Sequence, residues 1–283
     1  MEIRIGFKMT VVAPAPTPMI ALTYVRPELA SLLRNPEALI TTPPVPIETY
    51  LDSFGNRAAR FMLPTGRFTL YYDNIIETSD RPEPECLDAI QHPVESLPAE
   101  TLQYLLPSRY CESDLMMDLT WSLFGATRPG WERVQAICDW VHNHIEFGYF
   151  HARPTMTAFE VYNEAKGVCR DYMHLAVTFC RCMNIPARYA TGYLGEIGLP
   201  ATKVPEDFSA FFEAYLGGAW HAFDPRNNTR RLGRTAMAHG RDAADTALTT
   251  SFTPLYLDEF IVWTNEQTRD GNSDHATYGA GGG

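Results

Sequence analysis

The sequence lacks both a long apolar run and a block of charge of one sign. No stretch approaches the roughly 20 apolar residues that cross a bilayer, so no transmembrane helix is predicted. The first residues are not expected to form a signal peptide, because Pro14, Pro16 and Pro18 interrupt the apolar candidate. With 23 Lys and Arg against 34 Asp and Glu, the formal charge is −11. That charge argues against nucleic acid or an anionic membrane surface as a partner.

Cysteine is also scarce, with six in 283 residues. They are too few and too irregularly spaced for a disulfide framework, so a reduced, cytoplasmic setting is expected. Cys180 and Cys182 form a lone Cys-x-Cys pair without a second ligand pair, which does not support a zinc site. A glycine-rich phosphate loop and a dinucleotide fingerprint are absent too. The sequence therefore calls for no cofactor and no metal.

Apolar residues are plentiful, at 45% of the chain with 12% aromatic, which suffices for at least one substantial core. Residues 1–80 contain short alternating β-prone runs between turn-rich stretches and predict an N-terminal all-β domain. Residues 81–98 are rich in proline and acids and predict a linker. Residues 266–283 are polar and glycine-rich and predict a disordered tail.

Residues 99–265 predict a catalytic core of the α+β class. Apolar residues first recur at helical spacing, in LQYLL, DLMMDLTWSLFG and GWERVQAICDWVHNHI. A further helical stripe begins near Cys169 and ends before Pro186. Alternating strands follow, and Gly217-Gly218 supplies the two-residue turn of a hairpin. Helices followed by an antiparallel sheet define this fold class.

Cys169 is the candidate nucleophile. It opens a predicted helix, where unpaired backbone N–H groups and the helix dipole favour the thiolate. Its pKa is accordingly expected to lie below the ordinary value of about 8.5. The alternative is a buried, inert cysteine, the usual state of a free thiol. Cys180, eleven residues later on the same helical face, is predicted to belong to the core.

The segment GVCRDYMHLAVTFCRCMNIPARYATGYL resembles the nucleophile segment of the bacterial transglutaminase-like superfamily. The shared features are Gly167 before the cysteine, Asp171 after it, the IPAR turn at 185–188 and the following Gly192-Tyr193. The resemblance extends downstream through DFSAFFEAYLGGAWHAFDPRNN, and the β-rich first part resembles the N-terminal region of the cysteine-protease branch. It implies a papain-like core, with the cysteine helix packed on an antiparallel sheet, preceded by a β-sandwich.

The resemblance also implies a Cys-His-Asp catalytic triad. In that mechanism the thiolate attacks an amide carbonyl, the imidazole moves the proton and the carboxylate orients the imidazole. Cys169 and Asp224 match the family positions. Ser209, however, stands where the family has its catalytic histidine. A serine cannot act as a general base near neutral pH.

His221 is the candidate for a relocated base. A Gly217-Gly218 turn would pair Ala214 with His221. Strand alternation then places His221 on the face opposite Asp224, pointing away from the thiol. A bulge between His221 and Asp224 would reverse this orientation, so both possibilities stay open.

Two functions follow. The first is a cysteine hydrolase or acyl-transfer enzyme of protease, amidase or transglutaminase type, which acts on a peptide or protein amide through a thioester. The second is a catalytically impaired relative that binds peptide without cutting it, because Ser209 replaces the histidine. An imidazole within hydrogen-bond reach of Cys169 would distinguish them.

Overall fold

The computed structural model describes residues 1–199 and 207–267. Within these residues the chain forms fourteen β-strands and five α-helices, joined by loops and short 3₁₀ turns. The strands are β1 Glu2–Ala13, β2 Thr17–Ala21, β3 Ile40–Thr42, β4 Glu48–Leu51, β5 Arg57–Leu63, β6 Gly66–Glu77, β7 Glu146–Phe147, β8 Lys166–Gly167, β9 Ala187–Tyr193, β10 Ser209–Leu216, β11 Ala219–Phe223, β12 Thr235–Gly240, β13 Thr249–Ser251 and β14 Tyr256–Glu266. The helices are α1 Ala99–Leu102, α2 Ser113–Phe124, α3 Trp131–His144, α4 Ala158–Glu164 and α5 Cys169–Cys182.

The N-terminal unit is a sandwich of two four-stranded antiparallel sheets, in the orders β14-β1-β6-β3 and β13-β2-β5-β4. Alternate residues of β6, Phe68, Leu70 and Tyr72, point into the core between the sheets. This period-2 burial is the pattern that predicts strands with one buried face. The expected all-β, sandwich-like unit is therefore confirmed.

Two strands from the end of the chain complete this sandwich. β14 pairs antiparallel with β1 from Ile3–Glu266 to Val12–Tyr256, and β13 pairs with β2. Apart from Glu266, both lie within residues 99–265, which the sequence-based boundaries assign to the catalytic core. They pair instead with β1 and β2, whose backbone N–H and C=O groups would otherwise form an open edge. Independent folding of residues 1–80 stays a prediction.

The second unit packs α5 against a four-stranded antiparallel sheet of order β11-β10-β9-β12. Residues 171–182 of α5 are all buried, with Leu175 and Phe179 among them, and Phe212 faces them from β10. A helix buried on every side is held by tertiary packing rather than by its own propensity. The prediction of an α+β core, with the cysteine helix on an antiparallel sheet, is confirmed.

The β10–β11 hairpin has the expected register, with Leu216 opposite Ala219 and Ala214 opposite His221. Gly217 and Gly218 have φ of +60° and +88°. Such two-residue turns need positive φ at both central positions, which glycine adopts without strain. The turn therefore fixes the register of the hairpin, and with it which side chains of β10 and β11 lie on the same face of the sheet.

The predicted linker lies across the edge of this sheet. Its part from 82 to 92 is here called the strap. Near its start, Glu83 pairs with Arg234 at 2.5 Å. Near its end, the carbonyl of Ala89 accepts the Trp131 N–H at 3.0 Å, and that of Ile90 accepts the Gly217 N–H at 2.9 Å. The strap is thus anchored at both ends, close to the edge strand β11. The tail predicted over 266–283 lies almost wholly outside the described residues.

Candidate active site

The local structure before Cys169 is set by Gly167 and Asp171. The Asp171 carboxylate accepts the Val168 N–H at 2.9 Å and so caps the start of α5. A Cβ on Gly167 would lie 2.7 Å from the Asp171 Cβ, so this position has room only for glycine. Gly167 also pairs with Phe147 in the short β7–β8 sheet. These contacts hold the Cys169 sulfur at the first turn of α5.

Cys169 is half-buried as a residue, and its sulfur lies close enough to the backbone of Ala210 in β10 for that backbone to lower the pKa of the thiol. Burial raises its pKa, although the Ala210 N–H and the nearby Arg226 guanidinium lower it and Asp207 raises it further. The expected low pKa is therefore wrong, because desolvation outweighs the helix N-terminus. At neutral pH the group is a thiol, and it needs a base or an alkaline medium to react.

The other cysteines are less suited to react. Cys111, Cys138, Cys180 and Cys182 are buried. Burial raises the pKa of each of these four thiols, that of Cys111 to about 11. The placement of Cys180 in the core is confirmed. Cys86, in the strap, is partly exposed like Cys169 but lies in a loop rather than at a helix N-terminus.

Ser209 lies beside the thiol, as the first residue of β10 and the immediate neighbour of Ala210. Its cross-strand partner is Gly192, which in turn pairs with Ala236 of β12. This row of the sheet thus consists of small residues. Ser209, the position that the resemblance assigns to the histidine, is thus next in sequence to a residue whose backbone acts on the Cys169 thiol.

Asp224 follows the last residue of β11 and is buried. Its carboxylate accepts the Asn227 side-chain amide at 2.7 Å and an Arg234 N–H at 3.2 Å. The Arg234 side chain is only 5% exposed and also binds Glu83 of the strap. Its guanidinium carbon lies 4.6 Å from the centre of the Phe211 ring. The carboxylate that would orient an imidazole is thus bonded to a guanidinium.

His221 does not reach Cys169. Its Nε2 lies 3.1 Å from the Leu216 carbonyl oxygen, and its ring packs edge-on against Trp131 at 5.5 Å. His221 pairs with Ala214 of β10. Ala214 lies four residues from Ala210, a separation of about 13 Å at the rise of a β-strand. The pairing runs without a bulge from Phe212 to Leu216. The geometry therefore does not support His221 as the relocated base. It agrees with strand alternation, which predicts that His221 points away from the thiol.

In the described part of the chain, no hydrogen bond joins an imidazole to the Cys169 sulfur. Three rings have hydrogen-bond partners elsewhere: His142 at the carbonyls of Pro225 and Arg226, His144 at the carbonyl of Tyr162, and His174 at the Ala243 N–H. The charged groups that act on the thiol are instead Arg226 and Asp207. Sequence reasoning missed both residues. The one available signal was their position, because Arg226 comes two residues after Asp224 and Asp207 comes two residues before Ser209.

A family model described as the transglutaminase-like superfamily matches residues 120–225, which include Cys169, Ser209 and Asp224. The crystal structure of a protein described as a putative cysteine protease from Cytophaga hutchinsonii is 30% identical, with a TM-score of 0.81. That similarity covers 99% of this chain and 94% of the solved one. The chain belongs to the transglutaminase-like superfamily. An uncharacterized protein of Mycobacterium leprae, ML0607, is 24% identical over 208 residues, 70% of this chain and 73% of its own.

The candidate triad positions of this transglutaminase-like chain, Cys169, Ser209 and Asp224, all lie within the matched range. Over residues 1–199 and 207–267, no three His, Cys, Asp or Glu side chains converge as metal ligands would. No helix in the same residues is long and apolar enough to cross a membrane.

Proposed function

We propose that this transglutaminase-like protein uses Cys169 as the nucleophile of an acyl-transfer reaction on amide-type carbonyls, without an imidazole base. The observation that supports the proposal most strongly is the position of half-buried Cys169 as the first residue of α5, with its sulfur close to the backbone of Ala210. Cysteine is the side chain that retains most nucleophilicity without an adjacent base.

The chemistry runs through the thiolate alone. The Cys169 sulfur attacks the carbonyl carbon, the bond from carbon to the leaving nitrogen breaks, and the amine takes its proton from water. The resulting thioester then loses its acyl group to water or to a second amine. Because burial raises the thiol pKa, the reactive fraction grows as the pH rises. We therefore expect a slow enzyme whose rate increases steadily through pH 9.

The test uses pairs of substrates with the same acyl group, a p-nitrophenyl ester and the matching p-nitroanilide. After acid quenching, intact-mass analysis should show one acyl adduct, located on Cys169 by peptide mapping. Cys169→Ala should abolish the adduct, while the matched control Cys86→Ala should retain it. An adduct on Cys86, or a rate that follows a group titrating near pH 6.5, would contradict a base-free Cys169 mechanism.

A second function is favoured by the Asp224–Arg234 pair: binding of peptide without cleavage. Arg234 remains charged throughout the accessible pH range and cannot take a proton from the thiol. Because it also occupies the carboxylate, the hydrogen bond that would orient an imidazole is already in use. In that case neither substrate of a pair forms an adduct, and Cys169→Ala binds peptide as tightly as the unaltered chain.

A further inference from the structure

We propose that Arg226 is a carboxylate-binding residue of the Cys169 site, which selects acyl substrates that carry a carboxylate close to the carbonyl under attack. The selection of substrates rests on the function proposed above, whereas the binding of a carboxylate does not.

The guanidinium of Arg226 lies next to the segment that leads into α5. Its central carbon sits 4.2 Å from the centre of the Phe147 ring. Phe147 pairs with Gly167, two residues before Cys169, and the next residue, Gly148, donates its N–H to the Gly167 carbonyl at 3.1 Å. This stacking places a positive charge beside the nucleophile, in line with its effect on the thiol.

The backbone at Arg226 is fixed as well. The Nδ1 of His142, on α3, lies 2.9 Å from the Pro225 carbonyl oxygen and 3.0 Å from that of Arg226. On the other side, the Asn227 N–H donates to the Asp224 carboxylate at 3.1 Å. The loop after β11 is therefore held at three consecutive residues, and little ordering is needed when a ligand binds.

Arg226 has few partners among the described residues. Within residues 1–199 and 207–267, its guanidinium has no carboxylate at ion-pair distance and makes no hydrogen bond, and its close contact is the face of Phe147. Arg170, Arg188 and Arg234 of this core each bind a carboxylate, of Asp171, Glu213 and Asp224 respectively, and the buried Arg133 and Arg181 bind carbonyl, hydroxyl and amide oxygens. A guanidinium stacked on a ring keeps its N–H edge free for a two-point bond to a carboxylate.

One group opposes anions at this site. Asp207 acts on the thiol with a sign opposite to that of Arg226, and its carboxylate accepts the Phe208 N–H at 2.7 Å. The chain as a whole, at −11, repels anions at long range. A preference for a carboxylate at Cys169 must therefore come from direct contact with Arg226, and it should persist at high salt, which screens distant charges.

The test compares alkylation of Cys169 by iodoacetate and by iodoacetamide, which differ by a carboxylate. Both react with the same thiolate, so the ratio of the two rates cancels the thiolate fraction and leaves the effect of the carboxylate. Arg226→Gln should lower the iodoacetate-to-iodoacetamide ratio about tenfold, the usual size for one charge-assisted hydrogen bond. Arg226→Lys should fall in between, because it keeps the charge but loses the planar fork.

The matched control is Arg230→Gln, which removes the same charge from an exposed position four residues later in the same loop. Its ratio should stay within twofold of that of the unaltered chain. An equal ratio in Arg226→Gln and Arg230→Gln, with both proteins folded by circular dichroism, would overturn the proposal. If Arg226→Gln fails to fold, two results together would overturn the proposal. The first is an unchanged iodoacetate-to-iodoacetamide ratio in Arg226→Lys, and the second is equal protection of Cys169 by peptides with and without a carboxylate.

Peptide protection identifies the source of the carboxylate. Cys169 is labelled with iodoacetamide in the presence of one peptide bearing a free C-terminal carboxylate, its C-terminal amide, or an amidated version with an internal glutamate. Protection by the first alone indicates a terminal carboxylate, protection by the third indicates a side chain, and equal protection by all three contradicts the proposal. Alkylation needs no acyl transfer, so failure of the proposed enzyme and failure of the anion site are separate results.

Discussion

Replacing Ser209 with histidine should return a base to Cys169. The substitution places an imidazole on the residue next to Ala210, whose backbone is close enough to the sulfur to lower the pKa of the thiol. The neighbouring positions in this row of the sheet, Gly192 and Ala236, carry almost no side chain. We expect Ser209→His to raise the turnover of an acyl p-nitroanilide.

The gain should be limited by the state of Asp224. General acid–base assistance typically contributes about 10²- to 10⁴-fold. Because Asp224 is bonded to Arg234 at 3.2 Å and to Asn227 at 2.7 Å, the new imidazole lacks a free carboxylate to orient it, and the lower end, about 10²-fold, is expected. Ser209→His combined with Arg234→Gln should gain more, because Asp224 is released. Loss of this buried cation costs about 3–5 kcal/mol of stability, so the double variant must first be shown to fold.

The assay is kcat/KM for the p-nitroanilide between pH 5 and 10. Ser209→His should add an acid limb near pH 6.5, the ordinary pKa of an imidazole, to a profile that otherwise rises steadily. His221→Ala serves as the control and should leave rate and profile unchanged, because its partner on β10, Ala214, lies about 13 Å along the strand from Ala210. A folded Ser209→His variant with the original rate and profile would refute the placement of position 209 beside the thiol. Loss of activity in His221→Ala would refute the assignment of its partners.

Three further predictions follow from the structure. Alkylation of Cys169 should keep accelerating above pH 9, because burial raises its pKa, and a rate that levels off below pH 8 would contradict this. Gly192→Ala should lower the free energy of unfolding in urea by about 1–3 kcal/mol, because the added methyl would lie 2.0 Å from the Thr235 carbonyl oxygen, and an unchanged midpoint would show that the strands shift apart. Limited proteolysis should first cut residues 84–88, between the two anchors of the strap. A first cut within α3 would contradict the expected linker.

The sequence predicted elements wherever local patterns decide them. Alternating β-prone runs predicted strands in residues 1–80, where β1, β5 and β6 lie. Helical spacing predicted α2, α3 and α5, and the Gly217-Gly218 turn predicted the register of β10 and β11. β12 and β14 were not predicted. The sequence of β12, TAMAHG, has little β propensity, and its pairing with β9 comes from the tertiary context.

At the site, the family pattern located Cys169, Asp224 and the serine between them. It gave no information on the partners of these residues, because those come from distant parts of the chain. Arg234 approaches Asp224 from ten residues downstream, and Phe147 supports Arg226 from another strand. The pKa of Cys169 was predicted with the wrong sign for the same reason, since burial is a property of the packed molecule and not of the helix start.

The pairing of β1 with β14 has a consequence for how the protein is made. The hydrogen bond from Thr10 to Glu259 joins residues 249 positions apart. At a synthesis rate of roughly 5–20 residues per second, β1 leaves the ribosome roughly 12–50 seconds before its neighbour exists. Throughout that interval its outer edge is an open template for strands of other chains. A nascent chain stalled before residue 256 should therefore bind chaperones through its N-terminal half.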